Sequence, residues 1–590
     1  MQESISYIDL ILIYLIFGLA TNLVLGYTGV LQASPAAFGA FGGYSVLYLT
    51  AHGHSWLFAL VVGILLALVL GLLVGLSALQ LDELWVLLLT LAAGLVIGSI
   101  LSGLQTFGGD NGLQSETVFS VFGYEMGEPS QVLPVVVVLA IVVFAVCWRI
   151  GESPYGRVLR GIRSDASAVY ALGKNVYSYK LAVFTIASAL AGLAGGLLST
   201  LANVASPTQF SFTASVEIIA IVIIGGVGNP FGTVIGSAVV VLLVPFFEHV
   251  IALSPQTSAN VQLVAYGLVL ALVVFFRPAG AIPEGFTISG LIQRVQDARA
   301  QRTHATAAAA TPDAAQRRQS RQDARAAETA GRAAPVAQGV VLDVQGVSKA
   351  FSGIKAVDGL SMQLQGGKIT ALVGANGAGK TTVFNLLTGA LPLDGGAVYL
   401  DGQDITGLRP DQIATRGMVR SFQDVRLFSG MTVQDNVLLG VPGQPGEHLG
   451  PLFGRVGLTR RREREAREIA EHWLEFVDMQ NLRRAKVDSL GYGQQKLVAL
   501  ARILATDARV LLLDEPASGI DYQFLDEMLD VISQIRDAGR TVCIVEHNLD
   551  VVGRLADHVY FMELGAVTAE GSFADLTGDA RLAEVYFGSS

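Results

Sequence analysis

The chain has 590 residues, 52% of them hydrophobic and only 15% charged, with a formal net charge of −10. That acidic balance, with no concentrated basic face in the second half, argues against nucleic acid as a partner. Two cysteines, Cys147 in an apolar run and Cys543 in a predicted strand, leave no disulfide framework or metal-ligand spacing and read as packing residues.

The deficit of charge is concentrated before Pro278. Met1, Gln2, Glu3 and Ser4 lack the positive start of a cleaved signal peptide, so the apolar run from Ile8 is expected to stay as a membrane helix. Apolar segments near 8–26, 30–50, 57–79, 84–104, 131–148, 181–203, 213–228, 231–252 and 260–276 predict eight or nine spans of a hydrocarbon core roughly 30 Å thick. Arg149, Arg157, Arg160, Arg163, Lys174 and Lys180 place the segment from 149 to 180 in the cytoplasm. The loop from 104 to 131, with Asp110, Glu116, Glu125 and Glu128 and no cation, is placed outside. Four further segments return the chain to the inside at Arg277.

Small residues recur in this half: Gly228, Gly232 and Gly236 at every fourth position, and Gly192 with Gly196. They predict close helix packing, with Pro230 marking a bend or a broken helix. Glu217 lies inside an apolar run, so it should be paired, protonated or turned to the bundle interior. It is read either as lining a solute pathway or as an interfacial helix-end carboxylate.

Residues 286–338 turn to Ala, Arg, Gln and Thr without a recurring apolar face, which predicts a solvated tether with helical patches near Leu291 to Arg302; contact with anionic membrane lipid is the alternative. From 339 onward short β-rich runs alternate with helices. VLDVQGVSKAF, KITALVG, a helix from Lys380, ARVLLLDEP and RTVCIVEH predict an α/β domain. The expected architecture is an all-α polytopic membrane domain in 1–285, a cytoplasmic linker in 286–338 and an α/β P-loop nucleotide-binding domain in 339–590.

The stretch GANGAGKTT, Gly374 to Thr382, follows a predicted strand and opens a helix, as a phosphate-binding loop requires. Gly374, Asn376, Gly377 and Gly379 let backbone N–H groups close on phosphate oxygens. Lys380 reaches the terminal phosphates of ATP, and Thr381, with Thr382 beside it, offers a hydroxyl to Mg²⁺. Downstream, Val510 to Glu515 reads as a buried strand ending in two carboxylates, Asp514 to hold Mg²⁺ and Glu515 to polarise the attacking water.

With these motifs in order, the second half resembles the ATP-binding cassette (ABC) family over about residues 341–590. The resemblance implies that Gln423, in RSFQDVRLF, senses Mg²⁺ and the attacking water. It also implies that His547, in VEHNLD, contacts the γ-phosphate, that Ser518 to Asp521 form the D-loop, and that Phe351 stacks on adenine, with a core aromatic of the first hairpin as the alternative. The signature loop reads Leu490-Gly491-Tyr492-Gly493-Gln494-Gln495 where LSGGQ is common, so Gly491 lacks the serine hydroxyl while Gly493 and Gln494 keep the pattern. The YGQQ form, NGAGKTTVFNLLTGA and the final VYFG are similar to ATPases of the branched-chain amino acid (Liv) system.

The first half resembles that system's LivM-type permeases over roughly 10–285. LGYTG at Leu25 to Gly29 carries the likeness, as do Ala36-Ala37-Phe38, Gly42-Gly43-Tyr44, TFGGDNGL at Thr106 to Leu113, and Ser153 to Gly173. Gln32 and Pro35 stand where Ser and His are common. Ser153 to Gly173 is similar to the loop that docks a short cytoplasmic helix on the ATPase, which implies a coupling segment at about 153–175. The resemblance implies a fused permease and ATPase in the bacterial inner membrane. Its expected partners are a LivH-like permease, a LivF-like ATPase and an external binding protein. A urea or short-amide importer, an exporter half and an ATP-hydrolysing anchor that moves no solute are the alternatives.

Overall fold

The computed structural model describes residues 2–115, 118–246, 255–277, 280–284 and 339–577. The expected linker, its helical patches and the final VYFG lie outside the described residues. The chain divides into two compact units: 164–175 falls with the C-terminal unit, and the remaining residues before the linker form the other.

The N-terminal unit is helical. In chain order its helices are α1 (Gln2–Thr21, continued as a π-helix over Asn22–Gly26), α2 (Pro35–Ala51), α3 (Trp56–Ala78), α4 (Glu83–Gly103), α5 (Pro129–Gly151), the first part of α6 (Pro154–Ala171, whose residues from 164 onward belong to the C-terminal unit), α7 (Val176–Ala202), α8 (Phe212–Gly225), α9 (Pro230–Pro245) and α10 (Pro255–Phe276). Sequence marks their starts. Proline stands in the first turn of α2, α5 and α9, where its missing N–H costs nothing, and Ser55, Ser211 and Asn229 accept hydrogen bonds from the first turns of α3, α8 and α9. Every predicted apolar segment overlaps a helix among the described residues, and the end of the segment near 231–252 lies outside them.

Among the described residues five helices are long and apolar enough to cross a membrane, whereas α8 and the apolar part of α9 are shorter. At 1.5 Å per residue α8 reaches only about 21 Å. The two form an antiparallel pair around the turn Gly226 to Asn229, so Pro230 starts a helix instead of bending one. A Cβ on Gly225 would lie 2.2 Å from the carbonyl oxygen of Gly232, and one on Gly236 would lie 2.1 Å from that of Ile221. Gly192 packs against Ala67, and a Cβ on Gly42 would meet the Gly192 carbonyl at 1.7 Å, so these glycines are packing residues.

Helices α1 and α7 are the centre of this unit, with two thirds of their apolar windows buried, while α3, α4 and α5 expose most of theirs. Their outward residues, among them Leu65, Leu73, Leu84, Val138 and Ile141, are the face that lipid or another permease would cover. Glu217 sits on α8, half-buried, and bonds with Tyr14 of α1. It is paired and inside the helix, not at its end. Both cysteines are buried and free. In the expected external loop, β1 (Leu113–Gln114) pairs with β4 (Val204–Ala205), and β2 (Phe119–Val121) with β3 (Tyr124–Met126).

The C-terminal unit has two sheets. One is antiparallel, built from β5 (Val340–Phe351), β6 (Ile354–Gln365), β8 (Gly395–Leu400) and β9 (Gln403–Asp404) in the order β6-β5-β8-β9. The other contains β7 (Ile369–Val373), β10 (Met418–Arg420), β11 (Val510–Asp514), β12 (Thr541–Glu546), β13 (His558–Glu563) and β14 (Ala566–Gly571). Its order is β10-β11-β12-β7-β13-β14, with every pairing parallel except β13 with β14. Strands β7, β11 and β12 are buried along their whole length, which is why they read as unbroken apolar runs. Register brings Val373, Glu546, Val545 and Asp514 level, so the loops after three parallel strands open on one edge.

Candidate functional site

The loop Gly374 to Gly379 leaves β7 and enters α11 (Lys380–Leu387). Gly377 and Gly379 hold positive φ, and a Cβ on Gly379 would press to 2.3 Å from the carbonyl oxygen of Ala356. No side chain fits there, which frees the backbone to curl. Lys380 is buried and its Nζ donates to the carbonyls of Gly374 (2.7 Å) and Ala375 (2.9 Å). Burial lowers its pKa, and the charges of Glu515 and then Asp514 work against that. Ala375, Asn376, Gly377 and Thr381 face solvent, and Thr382 is half-buried beside them.

Asp514 ends β11 with 2% exposure. Its Oδ2 accepts from Arg420 Nη2 at 2.7 Å, and its backbone N–H donates to Ser421 Oγ at 2.8 Å. Its Oδ1 is buried with no hydrogen-bond partner. Burial pushes the Asp514 carboxyl up and the Arg420 guanidinium down, each offset in part by the other's charge. An unspent carboxylate oxygen beside the Thr381 end of α11 suits a divalent cation. Among the described residues no three His, Cys, Asp or Glu gather as a metal cage, so an ion here would complete its shell with water and phosphate, as Mg²⁺ does.

Glu515 follows with φ of +46°, a left-handed backbone that costs a non-glycine residue about 1–3 kcal/mol. Its N–H donates to Val545 at 2.9 Å, and the turn aims its carboxylate at two partners. Gln423 Nε2 donates to Oε2 at 3.1 Å, and His547 Nδ1 stands 3.7 Å from Oε1. The structure therefore brings Glu515, Gln423 and His547 together, next to Asp514 and Lys380.

The signature residues stand apart. Gly491 precedes the helix Tyr492–Leu504 and its N–H donates to Gln494 Oε1 at 3.2 Å, while a Cβ on Gly493 would meet the ring of Phe524 at 2.9 Å. No hydrogen bond among the described residues joins Gly491, Gly493 or Gln494 to the phosphate loop. Phe351 is 44% exposed at the end of β5, so it is not the core aromatic that the sequence left open.

Three residues escape sequence reasoning. Arg420 links Asp514 to Asn385 of α11 and lies 5.6 Å from the rings of Phe384 and Phe422. Glu546, fully buried at the end of β12, accepts from the N–H of Ala517 at 3.0 Å and so fixes the turn after Glu515. Lys496, on the signature helix, donates to the carbonyls of Glu515 (2.8 Å), Pro516 (3.2 Å) and Ser518 (2.6 Å). All three join segments distant in sequence; the only local signal is a charged residue within a buried element. We expect Lys496→Met to lower cassette stability by about 3 kcal/mol, since hydrogen bonds to charged groups contribute roughly 1.5–3 kcal/mol each and lysine desolvation offsets part. ATP turnover should drop with it; urea denaturation and phosphate release measure the two.

A phosphate loop, two carboxylates on the same sheet edge and a glutamine and histidine converging on the second define an ABC ATPase, here carried behind a set of apolar helices. Residues 5–275 match the family model described as branched-chain amino acid transport system / permease component, and residues 357–518 match that of the ABC transporter. The branched-chain amino acid transport ATP-binding protein BraF of Pseudomonas aeruginosa is 37% identical over 252 residues, 42% of this chain and 98% of BraF. LivG of Escherichia coli is 34% identical over 251 residues, 42% of this chain and 98% of LivG. A solved nucleotide-free cassette from an ABC transporter, 32% identical, aligns over 42% of this chain and 100% of its own with a TM-score of 0.37. The chain belongs to the branched-chain amino acid family of ABC transporters, with permease and ATP-binding parts fused. It is a membrane protein whose cytoplasmic ATPase hydrolyses ATP to drive transport.

Proposed function

We infer that this chain is the fused permease (1–285) and ATPase (339–590) of an importer, joined by the linker 286–338, which takes up branched-chain amino acids delivered by an external binding protein. The observation that carries this reading is that both halves match components of one transport system. A LivH-like permease and a LivF-like ATPase would complete the complex in the bacterial inner membrane, with residues 153–175 as the coupling segment.

In the ATPase cycle, Lys380 shifts from the loop carbonyls to the terminal phosphates, and the N–H groups of Gly374 to Thr382 wrap the phosphate chain. Phe351 stacks on adenine. Mg²⁺, held by Thr381, Gln423 and the free Oδ1 of Asp514, would supply charge neutralisation for the phosphate oxygens. Glu515 accepts a proton from water as its oxygen bonds to the γ-phosphorus, and the bond from that phosphorus to the ADP oxygen breaks. Gln423 orients the carboxylate, and His547 faces the γ-phosphate. Gly491, Gly493 and Gln494 serve the nucleotide bound by the opposing cassette, which accounts for their distance from this loop.

The test is reconstitution with the candidate partner permease, ATPase and binding protein in lipid vesicles, followed by ATP-dependent uptake of labelled leucine. Accumulation is the expected result. ATP hydrolysis without leucine uptake would overturn the substrate assignment and turn attention to urea, short amides or export.

A further inference from the structure

Within the C-terminal unit one arginine has a charge it does not use. Arg502 occupies the last turn of the helix Tyr492–Leu504, 4% exposed, with its guanidinium 4.7 Å from the ring of the fully buried Phe428. Its Nε and Nη1 are buried with no hydrogen-bond partner. Leaving a buried donor unsatisfied costs roughly 1–3 kcal/mol, more for a charged group, so an accessible carboxylate would be drawn to it. Its backbone is fixed, since a Cβ on Gly440 would lie 2.2 Å from the Arg502 carbonyl oxygen, which leaves the side chain as the part free to respond.

The carboxylate whose charge reaches it is Asp165. This residue interrupts α6 with extended dihedrals of −155° and 98°, and its Oδ1 accepts from the N–H of Ala168 at 2.9 Å, so it caps the second half of the broken helix. Its Oδ2 is held by Arg426 Nη1 at a long 3.3 Å, and the Arg426 guanidinium lies over the Phe422 ring, 4.4 Å from its centre. Asp165 thus contacts a half-exposed arginine, while its charge also acts on a buried one that it does not bond. Burial pushes the Arg502 guanidinium down to about 10, and the charge of Asp165 opposes that push. A narrow cleft lined by Phe422, Asp424, Arg426 and Arg502 among others runs beside both arginines.

We propose that Arg502 is a positioning residue for transport: when ATP draws the signature helix toward a second cassette, the Asp165 carboxylate passes from Arg426 to Arg502. The segment 164–175 is then held to the far end of the helix whose first turn reads the nucleotide. Two further ties of the segment, Ser429 N–H to Ser164 Oγ at 3.0 Å and the buried ion pair of Lys174 with Glu447, anchor it without engaging the signature helix. This rests on the chain being an ATP-driven transporter and not on what it carries.

Amide hydrogen exchange of residues 164–175, with and without ATP, tests it in the full chain assembled with its partner subunits, on a Glu515→Gln background that retains nucleotide. With Arg502 present, ATP should slow exchange of this segment roughly tenfold, as expected for a locally closed unit. Arg502→Met and Asp165→Asn should each abolish that change, the double variant should do no more, and Arg502→Lys should restore part of it. In the otherwise unmodified chain, Asp165→Asn should cut solute moved per ATP by roughly fivefold, with ATP turnover retained. Should Arg502→Met fail to fold, Asp165→Asn decides alone, because asparagine preserves the cap and removes only the charge. Unchanged ATP-dependent protection in either single variant overturns the proposal, and so does an equal fall in turnover and transport. Neither result depends on leucine being the solute.

Discussion

Glu515→Gln should bind ATP normally and turn it over at least about 10²-fold more slowly, the low end of what a positioned general base contributes. The exchange is close to isosteric and leaves the backbone turn, the Gln423 contact and the neighbouring Asp514 in place. What it removes is the acceptor for the proton of the attacking water. Nucleotide retention measured by filter binding should therefore persist while phosphate release in reconstituted vesicles collapses, and solute accumulation should vanish with it. Turnover within a few-fold of the unmodified chain would show that Glu515 is not the base and would pass the role to His547, 3.7 Å away.

Arg420→Met should be the most damaging single change in the cassette that touches no expected ligand of ATP. Arg420 is the only side chain that bonds the Asp514 carboxylate among the described residues, and both are buried. Removing one member of such a pair typically costs about 3–5 kcal/mol, because the other charge is left stranded. Burial already raises the pKa of Asp514, so without the guanidinium the carboxyl would take up a proton more readily and serve less well as a cation ligand. The expected result is a sharply lowered urea midpoint, together with ATPase activity that excess Mg²⁺ rescues only in part. Arg420→Lys should restore some stability but not the tie to Asn385, since a lysine cannot span two partners with a planar fork. A stability change below about 1 kcal/mol would mean that the pair contributes nothing net.

The contrast between Glu515 and Arg420 shows what the sequence could reveal. Glu515 belongs to a contiguous run, a strand followed at once by two acids, and such a run carries its own structural context. The role of Arg420 depends on β10 lying next to β11, and a sheet order in which β12 separates β11 from β7 is set by long-range packing that no local pattern records. The same holds for Lys496 and Glu546, whose partners are loop carbonyls and amides of other segments. In the N-terminal half the apolar runs located every helix except α6, yet the shortness of α8 was hidden because Gly225 to Gly228 continue the apolar composition while their backbone turns. The break at Asp165 did have a readable signal. Ser164-Asp165 followed by an amide that the aspartate can cap is the pattern of a helix start, and it was masked by the amphipathic run on either side.

The left-handed backbone at Glu515 bears on how such chains diverge. Glycine, and to a lesser degree asparagine, would occupy that position more comfortably than glutamate. Conformational ease and hydrolysis therefore pull against each other at one residue, and glutamate persists there only while turnover is selected. In a duplicated cassette whose site no longer needs to fire, drift at this position would relieve strain instead of adding it, so the fold would survive, even gain, as the catalyst is lost. Lineages in which two cassettes share the work unequally have an open path toward one silent site and one active one.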